Sequence, residues 1–160
     1  MKQRRIEEED LGPMKLIFNY ENVFYSFFYD DISGCIHRSR EYAMNYVYSG
    51  EMILDNGKQQ IHVGKGECVY IPRDHHITMY KRTFNGERYC GIFLNFTRNF
   101  LREMYAKFGQ CKIPADTSKL KPEVIKLPKT AEITSLFASL TPFFDPEVKP
   151  RDDFMHLKLQ

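Results

Sequence analysis

The pattern of apolar and polar positions divides this chain in two. As far as residue 96 it runs in short apolar stretches punctuated by turn residues, and beyond that apolar residues recur at helical spacing. Residues 46–72, YVYSGEMILDNGKQQIHVGKGECVYIP, organise the first part. They predict two strands, a tight turn, a third strand, a glycine corner and a fourth strand. Asn56-Gly57 offers two residues tolerant of positive φ, the requirement of a two-residue type I′ hairpin. Gln59, Ile61 and Val63 alternate with Gln60, His62 and Gly64, the period of a half-buried strand. Gly64 and Gly66 permit a sharp corner, and the apolar run Cys68–Ile71 stops at Pro72, which has no N–H to give to a ladder.

Around this stretch the same reasoning places further strands at 14–18, 23–29, 35–40, 42–48, 77–81 and 88–96. Asn85-Gly86 repeats the I′ signal, and RYCGIFLNF (88–96) is apolar on both faces, as a central strand should be. Some eight strands with short turns predict a barrel or sandwich. Next, Phe100, Leu101, Met104, Tyr105 and Phe108 form a helical stripe with Thr97 as cap and Gly109 as terminator. Residues 110–129 carry Pro114, Pro122 and Pro128 and read as a solvated loop wrapping the barrel. Ile133, Leu136, Phe137 and Leu140 form a second stripe ended or kinked by Pro142. A third helix starts near Pro150 with Asp152 and Asp153 in its first turn, and it runs to Gln160 without a cap, as at a boundary inside a longer protein.

Composition narrows the class. With 160 residues, 42% hydrophobic and 14% aromatic, the chain suffices for one domain with a core of its own. Residues 1–13 are a charged arm. The net charge of +2 is too mild for nucleic-acid binding by this chain. No apolar run is long enough to cross a bilayer, and MKQRRIEEED lacks the apolar segment of a signal peptide, which predicts a cytoplasmic protein without membrane contact. Cys35, Cys68, Cys90 and Cys111 show no CxxC spacing and read as buried thiols.

The glycine after the Tyr-Val-Tyr strand, and Gly66 with Pro72 six positions on, resemble the spine of the cupin family of small β-barrels. The form YxxSGE…DNGK…VGKGECVYIP, followed by a strand, Asn95-Phe96 and a helix, is similar to the N-terminal regulatory domain of AraC-type transcription regulators, over roughly residues 14–110. The resemblance implies a mainly β fold, a cupin-like barrel (double-stranded β-helix) with its first helix over 14–110. A loop and C-terminal helices follow over 111–160, about three α-helices in all. It also implies an effector-binding and dimerising part of a regulator whose DNA-binding helix-turn-helix portion lies elsewhere.

Cupin enzymes hold a metal with two His, a Glu and a later His. The matching positions here are His37, Ser39, Ala43 and Ile77, so one ligand of four is kept and neither metal nor other cofactor is expected. No Gly-rich phosphate loop or Ser-His-Asp order is present. What remains is an apolar, aromatic-lined interior suited to a small molecule. Strand parity from His37 puts Ser39 and Asn45 inside, and parity from Ile77 adds Met79. The resemblance implies that Gly91 and Phe93 lie in the pocket. Ile133, Leu136, Phe137, Leu140, Phe154 and Leu157 are the expected homodimer face. Two readings stay open: a regulator module that answers to a small effector or a partner protein, and a stand-alone metal-independent isomerase or epimerase using His37 as base with a barrel Tyr.

Overall fold

The computed structural model describes residues 14–20, 24–29, 33–38, 41–74, 76–108, 123–145, 147–149 and 151–159, and for the strands before residue 41 it describes the backbone. Ten strands among the described residues form two antiparallel sheets. β1 (Met14–Tyr20), β2 (Phe24–Tyr29), β4 (Tyr42–Ser49), β7 (Cys68–Ile71), β9 (Tyr89–Phe96) and β10 (Ile125–Leu127) make one, in the order β1-β2-β9-β4-β7-β10. β3 (Ser33–Arg38), β5 (Glu51–Asp55), β6 (Gln60–Val63) and β8 (His76–Arg82) make the other, in the order β3-β8-β5-β6. The two face each other across a core of Ala43, Val47, Met52, Leu54, Val63, Val69, Ile71, Ile77, Met79, Tyr89, Phe93 and Val124. This is the expected cupin-like barrel, and β9 is central, paired to β2 on one side and β4 on the other.

From β2 to β5 and from β6 to β9 each strand passes to the other sheet, and several of these crossings carry special backbone. Gly50 joins β4 to β5 at φ +69, and a Cβ there would lie 2.6 Å from the Tyr89 Cα and 2.8 Å from the Arg82 carbonyl oxygen. No side chain fits between those two strands. At the return from β6 to β7, Gly66 N–H donates to the Val47 carbonyl (2.8 Å), and the Glu67 carboxylate accepts from Gly64 N–H (2.8 Å) and pairs with Lys126 (2.7 Å). Lys126 of β10 also donates to the His62 carbonyl of β6 at 2.8 Å, so one side chain ties an edge of each sheet to the other.

Two turns differ in instructive ways. Asn85 and Gly86 both have positive φ (50° and 76°), as the I′ reading requires. Asn56 is not among the positive-φ residues; its carboxamide oxygen instead accepts from Lys58 and Gln59 N–H (both 2.9 Å), making a four-residue loop between Asp55 and Gln60. An Asn that bonds to the backbone ahead of it replaces the tight hairpin. Likewise Ile125–Leu127, expected within a solvated loop, is a strand that completes the β7 edge. Extended chain between Pro122 and Pro128 satisfies backbone groups that β7 would otherwise leave open.

The helices follow the sequence. α1 (Arg98–Phe108) is capped by Thr97, whose hydroxyl accepts from Phe100 N–H at 3.1 Å. α2 (Ala131–Ala138) is capped by Thr130, a 3-10 turn follows with Pro142 in its first turn, and α3 is Asp152–Leu159. α2, the turn and α3 cover the outer face of the larger sheet, where Phe137, Leu140, Phe143 and Met155 pack on Tyr46, Cys68, Ile92 and Leu94. The Tyr46 and Phe137 rings stack at 4.4 Å, and the half-buried Tyr48 hydroxyl donates to the Phe137 carbonyl. Burial pushes the Cys68 thiol up to about 12, which keeps it protonated and weakly nucleophilic. Cys90 is a free, half-buried thiol. The arm 1–13, Gly109, Cys35 and Cys111 lie outside the described residues or side chains.

On the outer face of the smaller sheet, Glu51 accepts from Arg82 Nε (2.7 Å) and lies 3.0 Å from His62 Nδ1. Burial pulls the Glu51 carboxyl up, but the hydrogen bonds from His62 and Arg82 outweigh it and hold the group below its ordinary value. A depressed carboxylate contributes stability above its unfolded-state pKa and loses it as pH falls through the folded one. Glu51→Gln should therefore cost about 1–2 kcal/mol near neutral pH and progressively less on acidification below about pH 4.5, measured by urea unfolding across pH. A cost that stays constant with pH would show that charge is not its source. Gly50→Ala should destabilise by about 3 kcal/mol or more, through left-handed strain plus backbone overlap. Gly57→Ala, at φ +83 with nothing within 4 Å, should cost about 1 kcal/mol in the same unfolding assay. Equal costs would mean that the β4–β5 crossing is not tight.

Candidate functional site: the barrel interior

Alternation along each strand decides what points inward. On β4 these are Ala43, Asn45 and Val47, and on β9 they are Tyr89, Gly91 and Phe93, while Tyr46, Ile92 and Leu94 face the helices. On β8 the inward set is Ile77, Met79 and Lys81, with Tyr80 exposed. On β5 it is Met52 and Leu54. Among the described side chains the interior is thus aliphatic and aromatic, with Asn45, the Tyr89 hydroxyl and Lys81 as polar groups.

Asn45 is fully buried. Its amide donates to the Ile92 carbonyl (3.2 Å) and its carbonyl oxygen accepts from the Tyr89 hydroxyl (3.0 Å). The same hydroxyl sits 3.8 Å from the Met52 sulfur. To reach Asn45, the Tyr89 ring folds back along its own strand over Gly91. A Cβ on Gly91 would collide with the hydroxyl and come within 2.9 Å of Cζ. Gly91 therefore makes room for an aromatic ring already present, where the sequence reading had it line the pocket directly. Lys81 is 3% exposed, with its ammonium 5.8 Å from the Tyr89 ring centre and 5.4 Å from that of Phe93.

Of the residues singled out from the sequence, the structure brings together Asn45, Met79, Gly91 and Phe93 on the interior face. The backbone of His37 pairs with Ile77 in the β3–β8 ladder, and Ser39 lies outside the described residues. Ala43 and Ile77, at two of the positions where cupin enzymes carry metal ligands, are buried apolar residues with no donor atom to offer. Among the described residues no cluster of three His, Cys, Asp or Glu side chains fits a metal ion. Of the expected dimer face, Phe137 and Leu140 are consumed in the chain's own second core and Ile133 packs against it. Leu136, Phe154 and Leu157 stay exposed, Leu157 at 74%. Sequence reasoning missed Lys81 and Tyr89. Parity signals both, since Lys81 is two residues beyond Met79 and Tyr89 two before Gly91. A Lys-Arg pair at a strand end looks solvated, and that look is misleading.

Comparison with known proteins agrees with this geometry. No curated protein matches the chain by sequence. Among solved structures, apo ToxT K231A from Vibrio cholerae superposes with a TM-score of 0.61 at 10% identity, covering 86% of this chain and 52% of that one. Wild-type ToxT bound to an unsaturated fatty acid gives 0.55 at 10% identity, covering 84% and 50%. ToxT from Vibrio cholerae O395 bound to (E)-4-(8-methylnaphthalen-1-yl)but-3-enoic acid gives 0.53 at 12% identity, covering 84% and 52%. At these identities the likeness is one of fold, and the chain spans about half the length of the ToxT chains it matches. The family model of the ExsA N-terminal regulatory domain matches residues 42–160, taking in the interior strands from β4 onward and all three helices. The chain belongs to that family, the ExsA N-terminal regulatory domain of AraC-type regulators.

Proposed function

We propose that this chain senses a small effector within its barrel and pairs with a second copy of itself, as the regulatory part of a cytoplasmic AraC-type transcription factor. DNA is contacted by a portion outside these 160 residues. The observation that carries the reading is the interior itself, an apolar barrel with Asn45, Tyr89 and Lys81 turned inward. Two ToxT structures of the same fold hold an unsaturated fatty acid and an aryl butenoic acid, which supports a small apolar effector here. Met79 and Phe93 would line it together with His37 and Ser39, and Gly91 would act through the Tyr89 ring. A catalytic role is the weaker reading, because the metal-ligand positions Ala43 and Ile77 are apolar and the inward Tyr89 is engaged with Asn45. Among the described residues no helix is long and apolar enough to cross a membrane.

The homodimer reading rests on Leu136, Phe154 and Leu157, three exposed apolar side chains on α2 and α3. Cyclic pairing through one such patch on each subunit is the commonest closed arrangement.

A thermal-shift panel of metabolites should find a compound that stabilises the protein, by about 2.7 kcal/mol at a hundredfold excess over its Kd. Gly91→Val, which drives the Tyr89 ring into the interior, should weaken that compound at least about tenfold while the protein stays folded. If no compound shifts the melting temperature and a partner protein co-purifies instead, the partner takes the effector's place in this account. Sedimentation at several concentrations should show a concentration-dependent dimer that Leu157→Asp disrupts. A monomer throughout, or a dimer indifferent to that substitution, removes this interface.

A further inference from the structure

Building on the reading that the interior holds a small effector, we infer that the effector enters and leaves between β6 and β10, and that Lys126 is the latch across that gap. β6 and β10 are edge strands of different sheets, and among the described residues no backbone ladder joins them. The 2.8 Å bond from the Lys126 ammonium to the His62 carbonyl sets them side by side. Their inner neighbours are laddered, β6 to β5 and β7 to β4, so parting those pairs would break several backbone hydrogen bonds at once.

The chain itself shuts one end of the gap. The turn from β6 into β7 is pinned there by Gly66 N–H on the Val47 carbonyl. Leu127, opposite Cys68, lies toward that closed end, and Ile125, opposite Tyr70, lies toward the open one. Alternation puts Lys126 on the same side of β10 as Val124, which is buried in the interior core with Val63 and Val69. Ile61 of β6 packs against that core. A molecule passing here meets Ile61, Val63 and Val124 directly behind the lysine, an apolar path that suits an apolar effector.

The latch is built to yield. Its ammonium holds the His62 carbonyl and the Glu67 carboxylate (2.7 Å), yet the Lys126 side chain is 40% exposed. Water can take over both contacts when the side chain swings out, so release costs no more than a surface ion pair. Glu67 keeps its bond from Gly64 N–H, which leaves the turn in place when the lysine departs. β10 is three residues long, and a short edge strand is among the least costly parts of a sheet to displace.

The test follows cis-parinaric acid, a fluorescent polyunsaturated fatty acid, binding to the full chain by stopped flow. Lys126→Met keeps the length of the side chain and loses both contacts. It should speed binding and release alike by about five- to tenfold, the range of an exposed ion pair, and leave Kd unchanged. Added salt should speed exchange in the wild type and have no such effect in the variant. Hydrogen exchange without any probe should show the Ile125 and Leu127 amides opening faster in Lys126→Met, with β4 and β9 unaltered. Unchanged rates in the variant place the entrance elsewhere, which overturns the inference and spares the effector reading. Faster release alone, with Kd weakened in proportion, makes Lys126 a ligand contact and also overturns it. Failure of the probe to bind the wild type overturns the inference together with the reading on which it stands.

Discussion

The rest of the structure depends on β4 and β9 being buried on both faces. Their inward residues, Ala43, Asn45 and Val47 with Tyr89, Gly91 and Phe93, face the smaller sheet, and their outward residues, Tyr46, Ile92 and Leu94, face the helices. Two cores meet on one pair of strands. That arrangement leaves little freedom in register, because a one-residue slip would exchange the contents of both cores at once. It also explains the crossing at Gly50, where β4 must leave for the other sheet so close to β9 that only a glycine fits.

The same pair links the interior to the surface. Asn45 bonds to the Ile92 carbonyl and to Tyr89 on the inside, while the next residue along, Tyr46, stacks on Phe137 on the outside. Tyr48 then fixes α2 through the Phe137 carbonyl. Packed cores do not deform smoothly. A molecule that repositions Tyr89 must therefore either be absorbed by the flexible Met52 and Met79 or be passed through β4 to the helices. In a regulatory domain the second course is the useful one, and Leu136 and Leu157 stand exposed on those helices.

Much of this was legible in the chain. Period and turn chemistry gave the strand series, the doubly buried β9, the Asn85-Gly86 turn and the cap at Thr97, because each is decided by residues close in sequence. The misses came where a distant partner decides. Asn56 chose bonds to its own loop over the hairpin its sequence allows. Ile125–Leu127 became a strand only because β7 lay open beside it. Phe137 and Leu140 looked like an interface stripe until the outer sheet face claimed them. Lys81 obeyed strand parity against its chemical type. Gly91 looked like a wall of the pocket, and its use to Tyr89 becomes visible only with both strands in place.

The central claim is that barrel and outer helices form one cooperative unit held by β4 and β9. Native-state hydrogen exchange in low denaturant tests it directly. The amides of α2 should exchange with the same opening free energy and denaturant dependence as those of β4 and β9, with β10 opening more readily at the sheet edge. An α2 that opens as a separate low-energy unit while β4 and β9 stay protected would contradict the claim, and would leave the interior without a route to the surface.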